Sequence, residues 1–230
     1  MKKSIRIVRA LLIVLVLSAI GWLVAQNSSL LFKPVKTYQI STPLVNVKEH
    51  DIDAVMQPYL GLSFWGLNLD LIQAELTRLD WVAHATVKRS WPDRVYVLIE
   101  EQKPVARWGA AGLVNDSGTV FYPRDMSLFA DFVLLDGPLD KSVEMLLYLV
   151  KYQSILNTLG FTVAALKRQV DGVWRVQLLN GPELVLDANQ SEASIQRFIR
   201  AYPKLSPELR KSASVYDLRY SNGFIVGNGQ

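Results

Sequence analysis

The apolar positions of this 230-residue chain fall into two textures. From Ala10 to Phe32 no charged residue occurs, and Ala10 to Ala25 is almost wholly aliphatic. Wound as a helix, those 23 residues span roughly 34 Å, enough to cross a hydrocarbon layer of roughly 30 Å. After that run the apolar residues recur either at every second position or at the three-to-four spacing of a helix, the patterns of half-buried strands and amphipathic helices.

The stretch VKRSWPDRVYVLIEEQKPVARW, Val87 to Trp108, predicts a long hairpin that continues into another strand. Val95, Val97 and Ile99 alternate with Arg94, Tyr96, Leu98 and Glu100, and Trp91-Pro92-Asp93 supplies the turn before them. Pro104 interrupts the second arm, which predicts that the strand passes from one sheet to another there. Upstream, Val35 to Thr42 predicts a strand with Val35, Tyr38 and Ile40 as apolar points. Asn46 and Glu49 form a capping-box-like pair ahead of Ile52, Val55, Met56 and Tyr59 at helical spacing. Asn68 caps a second helix with Leu69, Ile72, Leu76 and Leu79 on one face. In Trp81 to Arg89 the set Ala83, Ala85 and Val87 is expected to pack under the helices, with Val82, His84, Thr86 and Lys88 on the wetter face. The order is strand, helix, helix, strand, strand.

Beyond the hairpin the elements are shorter. Leu113 to Phe121 turns at Asp116-Ser117-Gly118, and Phe132 to Leu135 is a compact strand. Asp140 offers a cap to a helix defined by Val143, Leu146, Leu147 and Val150 at helical spacing and ended by Gly160. Leu166 to Val170, Val173 to Leu179 and Glu183 to Leu186 predict a meander turning at Asp171-Gly172 and Asn180-Gly181. Asn189 and Glu192 open a further helix with Ile195, Phe198, Ile199 and Tyr202 inward, broken at Pro203. Ser214 to Tyr220 is the last clear strand, and Asn222-Gly223 turns it back into Phe224-Ile225-Val226.

Charge orients the apolar run. Lys2, Lys3, Arg6 and Arg9 precede it, so the positive-inside rule keeps the N-terminus in the cytoplasm and sends the rest across. A cleavable signal peptide is the competing reading, but its small-x-small site, Ala19-Ile20-Gly21, lies inside the apolar run. The net charge is +4, with 25 basic and 21 acidic residues. Four of the basic residues precede the run, which leaves 21 against 21 beyond it. A neutral remainder lacks the field that nucleic-acid binding needs. Cysteine is absent, which excludes disulfides and thiolate metal sites.

Catalytic chemistry has little to stand on. His50 and His84 are the only histidines and have no partners at metal-ligand spacing. Glu100 and Glu101 are adjacent on a strand and point to opposite faces, so they cannot converge on one bond. The Gly-containing turns do not end a strand and open a helix, as a phosphate cradle must. Lys167, Arg168 and Arg175 form a modest basic cluster, and Trp91, Trp108 and Trp174 are expected in core or junction packing. No catalytic residue, cofactor or metal is predicted.

The hairpin segment, with its V-K-R-x-W-P, alternating strand, Glu and P-x-A-x-W, together with YDLRYSNG near the end, resembles the bacterial FtsQ/DivIB cell-division family over the whole chain. The resemblance implies an α+β protein: a cytoplasmic tail (1–9), a single transmembrane helix and exit (10–32), a βααββ POTRA-like domain (33–103) and a mostly antiparallel distal β domain with two helices (104–230). It implies a non-enzymatic scaffold of the divisome in the bacterial inner membrane, with the bulk of the chain periplasmic and at the septum. The implied partners are FtsB and FtsL-like single-span proteins and other division components, bound through Val215, Tyr216, Asp217, Leu218, Arg219 and Tyr220 as an edge strand open to strand addition. From the pattern alone, that strand either forms an edge or is paired internally. Two departures stand out: the order Val215-Tyr216, where the family often places tyrosine first, and Asn228, where an aromatic residue is common. The Thr42-Pro43 position also lacks the glycine typical of the POTRA domain. A periplasmic cell-wall hydrolase or transferase, and a POTRA-bearing component of protein export or outer-membrane assembly, are the rival readings.

Overall fold

The computed structural model describes residues 2–26 and 33–228. The first element is a helix, α1 (Lys2–Gln26). Its described side chains, Leu12 to Leu23, are exposed. Among the described residues no helix is long and apolar enough to cross a membrane. The span predicted over 10–32 runs on into 27–32, outside the described residues. The chain divides into two compact units, residues 1–101 and 102–230.

In the first unit the order strand, helix, helix, strand, strand is present: β1 (Thr37–Ile40), α2 (Glu49–Met56), α3 (Leu69–Leu76), β2 (Val82–Ser90) and β3 (Arg94–Glu101). The sheet order is β1-β3-β2, with β1 parallel and β2 antiparallel to β3. Ile52 and Met56 of α2 and Ile72 and Leu76 of α3 are buried with Val87, Val95, Val97 and Ile99 of the sheet. Fully burying such a side chain contributes about 1.5–3 kcal/mol, which is what holds two short helices whose own propensity could not. Asn68 caps α3 as expected, its side chain accepting from Leu71 N at 3.1 Å.

Three expectations change here. A register shift between Val82 and His84 buries Val82 while Ala83 is only half-buried, because the extra residue of a bulge reverses the alternation on one side of it. Asn46 does not cap α2. Its N-cap is Lys48, without a side-chain bond, and residues 45–47 instead donate their backbone N–H groups to the Glu101 carboxylate. Trp91 lies at the hairpin tip and is exposed, so it packs in no core.

The second unit holds β4 (Pro104–Trp108), β5 (Gly112–Asn115), β6 (Val120–Phe121), β7 (Leu134–Asp136), α4 (Ser142–Leu156), β8 (Val163–Arg168), β9 (Val173–Leu178), β10 (Glu183–Asp187), α5 (Ser191–Ala201), α6 (Pro207–Ser212), β11 (Ala213–Asp217) and β12 (Ile225–Asn228). They form one nine-stranded sheet in the order β12-β11-β10-β9-β8-β7-β4-β5-β6. Three pairs are parallel, β10/β11, β7/β8 and β4/β7, and the others antiparallel. β3 and β4 belong to different sheets, with only Gln102 and Lys103 between them.

α4 packs on β7 and β8, and α5 on β10 and α4. The inward face of α4 is Ser142, Met145, Leu149, Tyr152 and Leu156. Val143, Leu147 and Val150, whose spacing marks the helix in the sequence, are exposed, and Leu146 is half-buried. A helix with apolar residues on both sides fits either face, and the packing of Met145, Leu149 and Tyr152 under the sheet decides the choice. α6 is a third helix that periodicity did not reveal; Ser206 caps it by accepting from Leu209 N, and Pro207 stands in its first turn. The expected turns recur, Asn180 and Gly172 taking positive φ and Gly160 closing the turn after α4 in the left-handed region. Trp108 and Trp174 are buried. The basic cluster is paired in place: Arg168 with Glu144 at 2.8 Å, Arg175 with Glu183 at 2.7 Å and Lys167 with Asp136 at 4.0 Å.

Candidate partner-binding edge

β10, β11 and β12 close one end of the large sheet. β11 runs parallel to β10 with Leu184 opposite Tyr216, and antiparallel to β12 with Val226 opposite the same residue. Leu218 N prolongs the first pairing by donating to Val185 O at 2.8 Å. β11 is therefore paired on both sides, and the expectation that residues 214–220 form the edge is corrected. The cause is the turn at Asn222-Gly223, which folds 225–228 back along 213–217 and makes β12 the terminal strand. The opposite edge of the sheet is β6, of two residues.

Alternation then sorts the expected site residues. Tyr216 and Leu218 point inward and are fully buried. The Tyr216 ring sits among Phe198, Tyr202 and Phe224, with centroids 5.1, 5.9 and 5.6 Å away. Its hydroxyl is buried without a hydrogen-bond partner, and burial raises its pKa. Neither side chain reaches the surface of the unbound chain. Val215 is half-buried on the other face. The strand ends at Asp217, and Arg219 and Tyr220 lie beyond it.

Asp217 and Arg219 hold one another. Arg219 Nε donates to Oδ1 at 2.9 Å and the guanidinium donates to Oδ2 at 2.6 Å, a two-pronged charge-assisted pair. The Arg219 hydrogen bonds hold the Asp217 carboxyl below the usual carboxylate range, against a smaller opposing effect of burial. Tyr220 is exposed, and its carbonyl accepts from Arg197 at 3.0 Å. The surface that β12 adds carries exposed Ile225, which lies opposite Asp217, and half-buried Gly227, opposite Val215. The Asn222-Gly223 turn predicts the return of Phe224-Ile225-Val226, but not that this segment, as residues 225–228, takes the end of the sheet from 214–220.

Elsewhere the groups weighed for catalysis are dispersed. His50 and His84 are exposed and Glu100 is a solvated strand residue. Glu101 accepts from the 45–47 loop. Among the described residues no three His, Cys, Asp or Glu side chains gather as a metal site would require.

Residues 33–102 match the family model of the POTRA domain, FtsQ-type, and residues 106–219 that of the cell division protein FtsQ/DivIB, C-terminal. The cell division protein FtsQ of Xanthomonas campestris is 33% identical over 208 residues, covering 90% of this chain and 72% of the relative. That of Shewanella oneidensis is 34% identical over 196 residues, 85% of this chain and 74% of the relative. That of Allochromatium vinosum is 32% identical over 230 residues, 98% and 90% respectively. With two family models covering most of its length in the expected order and such relatives along nearly all of it, the chain belongs to the FtsQ/DivIB family of cell-division proteins.

Proposed function

We propose that this protein is a non-enzymatic scaffold of the divisome. It links early cytoplasmic to late periplasmic division proteins and binds single-span partners of the FtsB and FtsL kind by strand addition on the distal sheet. In this reading 10–32 is a single-pass anchor in the inner membrane, 1–9 stays cytoplasmic, and the POTRA-like domain (33–103) and distal domain (104–230) stand in the periplasm at the septum. What supports the anchor is the sequence: Lys2, Lys3, Arg6 and Arg9 precede a run without charge from Ala10 to Phe32, of which residues 10–26 are helical in α1.

The observation that carries the binding mode is the place of β12 at the end of the nine-stranded sheet, with β11 on one side only. An end strand offers unpaired N–H and C=O groups to which an extended segment adds with main-chain hydrogen bonds, side chains at alternate positions supplying choice of partner. The partner strand therefore belongs against 225–228, with Val215, Asp217, Arg219 and Tyr220 as neighbours of that contact and Tyr216 and Leu218 as its support from below.

Proline placed in turn at Ile225 and Val226 tests this. Adjacent strand residues send their N–H groups to opposite sides, so one proline removes a donor toward β11 and the other removes the donor offered to a partner. The outward variant is expected to keep its fold, as judged by hydrogen exchange in β11, and to lose capture of a periplasmic FtsB segment. Full capture by both folded variants would refute strand addition at β12.

A further inference from the structure

At one end of the POTRA-like domain, segments that carry exposed aromatic and apolar side chains are tied together. Three segments meet there. The incoming segment 33–36 lies against loop 61–64, with Val35 N donating to Leu62 O at 2.9 Å, Gly61 N to Val35 O at 2.8 Å and Phe64 N to Lys33 O at 3.2 Å. On its other side Lys36 N donates to Asp93 O at 2.8 Å, which joins it to the tip of the β2–β3 hairpin, and the Lys36 ammonium pairs with the Asp93 carboxylate at 3.6 Å. The Arg89 guanidinium donates to the carbonyls of Phe64, Trp65 and Leu67 and so ties the loop to the hairpin.

From this tied end project Leu62 (49% exposed), Trp65 (56%) and Trp91 (62%). Phe64 turns inward and meets Trp65 edge-on at 5.1 Å, which fixes the base of the patch. Lys36, Lys88, Arg89 and Arg94, on the incoming segment and on the strands that lead into and out of the hairpin tip, are exposed, with Lys36 paired to Asp93. Large exposed side chains on segments tied to one end of a domain mark a candidate contact surface. Tryptophan in particular favours the boundary between headgroups and hydrocarbon, where its ring is buried and its N–H stays wet.

The chain itself says which surface is near. Lys33 follows the end of α1 at Gln26 by seven residues, a reach of at most about 24 Å. We propose that this end of the domain is a lipid-docking surface. Leu62, Trp65 and Trp91 seat at headgroup depth in the bilayer that holds α1, and Lys36, Lys88 and Arg94 face anionic phospholipid headgroups. The proposal rests on the anchor reading of 10–32. The tether then holds the patch beside the membrane at high local concentration, so three side chains suffice where a free domain would need more.

The chain has no cysteine, so single labels can be placed at will. The full chain is reconstituted in vesicles of phosphatidylethanolamine and phosphatidylglycerol with an environment-sensitive fluorophore on Ser63→Cys in the exposed loop, on Leu15→Cys in α1, or on Val170→Cys as the aqueous reference. Lipid-borne quenchers are expected to quench the Ser63 label several-fold more than the Val170 label, and shallow quenchers more than deep ones. Replacing Leu62, Trp65 and Trp91 together by serine is expected to return the Ser63 label to the Val170 level, with hydrogen exchange in β2 and β3 unchanged. A quenched Leu15 label beside a Ser63 label as aqueous as Val170 overturns the docking proposal and leaves the anchor standing. An aqueous Leu15 label overturns the anchor reading and the proposal with it.

Discussion

The Glu101 carboxylate offers the sharpest test of how the first unit is held together. It closes β3 and accepts from Val45 N at 2.8 Å, Asn46 N at 2.9 Å, Val47 N at 3.1 Å and Asn46 Nδ2 at 3.1 Å. It thereby fixes the loop that enters α2, which has no side-chain cap of its own. Hydrogen bonds to an ionised group contribute roughly 1.5–3 kcal/mol each when buried. The Val45 bond is exposed and the others part-buried, so solvent competition and non-additivity reduce the total, and Glu101→Ala is expected to cost about 3 kcal/mol. Glu101→Gln keeps one acceptor oxygen but loses the charge, and about half that loss is expected. Either is a large share of the stability of a small domain, about 5–15 kcal/mol.

Burial pushes the Glu101 carboxyl up, but the three backbone donors and Asn46 together outweigh it and hold the pKa below the ordinary value. A carboxyl depressed in the folded state adds stability above its unfolded value, near 4.3, and loses it as pH falls through the folded value. The advantage of the natural chain over Glu101→Ala is therefore full at pH 7 and shrinks below about pH 4. Since two units need not unfold together, the measurement is site-resolved hydrogen exchange at residues 45–47 and along β2 and β3, at pH 7 and under acid conditions. Equal protection in Glu101→Ala at pH 7, or a difference that persists undiminished in acid, would refute the reasoning.

Local pattern carried the first unit well and the end of the second poorly, for physical reasons. Val95, Val97 and Ile99 alternate without interruption and are buried as a set, because one face of the hairpin is covered and register leaves no other solution. The bulge beside Val82 inserts no residue type that announces it, so plain alternation places the Ala83 side chain on the wrong face. Glu101 reaches across 54 to 56 residues to the 45–47 loop, a distance at which no capping rule operates. α4 shows apolar residues on two faces, and only the sheet beneath it selects Met145, Leu149 and Tyr152 over Val143, Leu147 and Val150. For the candidate edge, the strand Ser214 to Tyr220 and the turn after it were legible. Which of two final strands faces solvent is a property of non-local pairing, and the parallel partnership of β11 with β10 across α5 and α6 leaves no local trace.

Two further outcomes follow from the second unit. Gly118 has φ +83° and a Cβ there would stand 2.7 Å from Val143 Cγ2 and 2.9 Å from its Cα, so Gly118→Ala combines left-handed strain with a backbone clash. It is expected to cost about 2–3 kcal/mol, and a thermal midpoint within about 2 °C of the natural chain would contradict it. Tyr216 bears on both core and function. Its hydroxyl is buried without a partner, so Tyr216→Phe removes a desolvated polar group at constant ring packing and is expected to be neutral or stabilising by up to about 1 kcal/mol, while Tyr216→Ala opens the cluster with Phe198, Tyr202 and Phe224 and costs about 3–5 kcal/mol. Because the ring faces away from the sheet surface, the phenylalanine variant should bind a strand-adding partner with unchanged affinity in a titration of the folded chain. A tenfold loss of affinity in that stable variant would mean that the hydroxyl reaches the partner, and would return the binding contact from β12 to the side chains of β11.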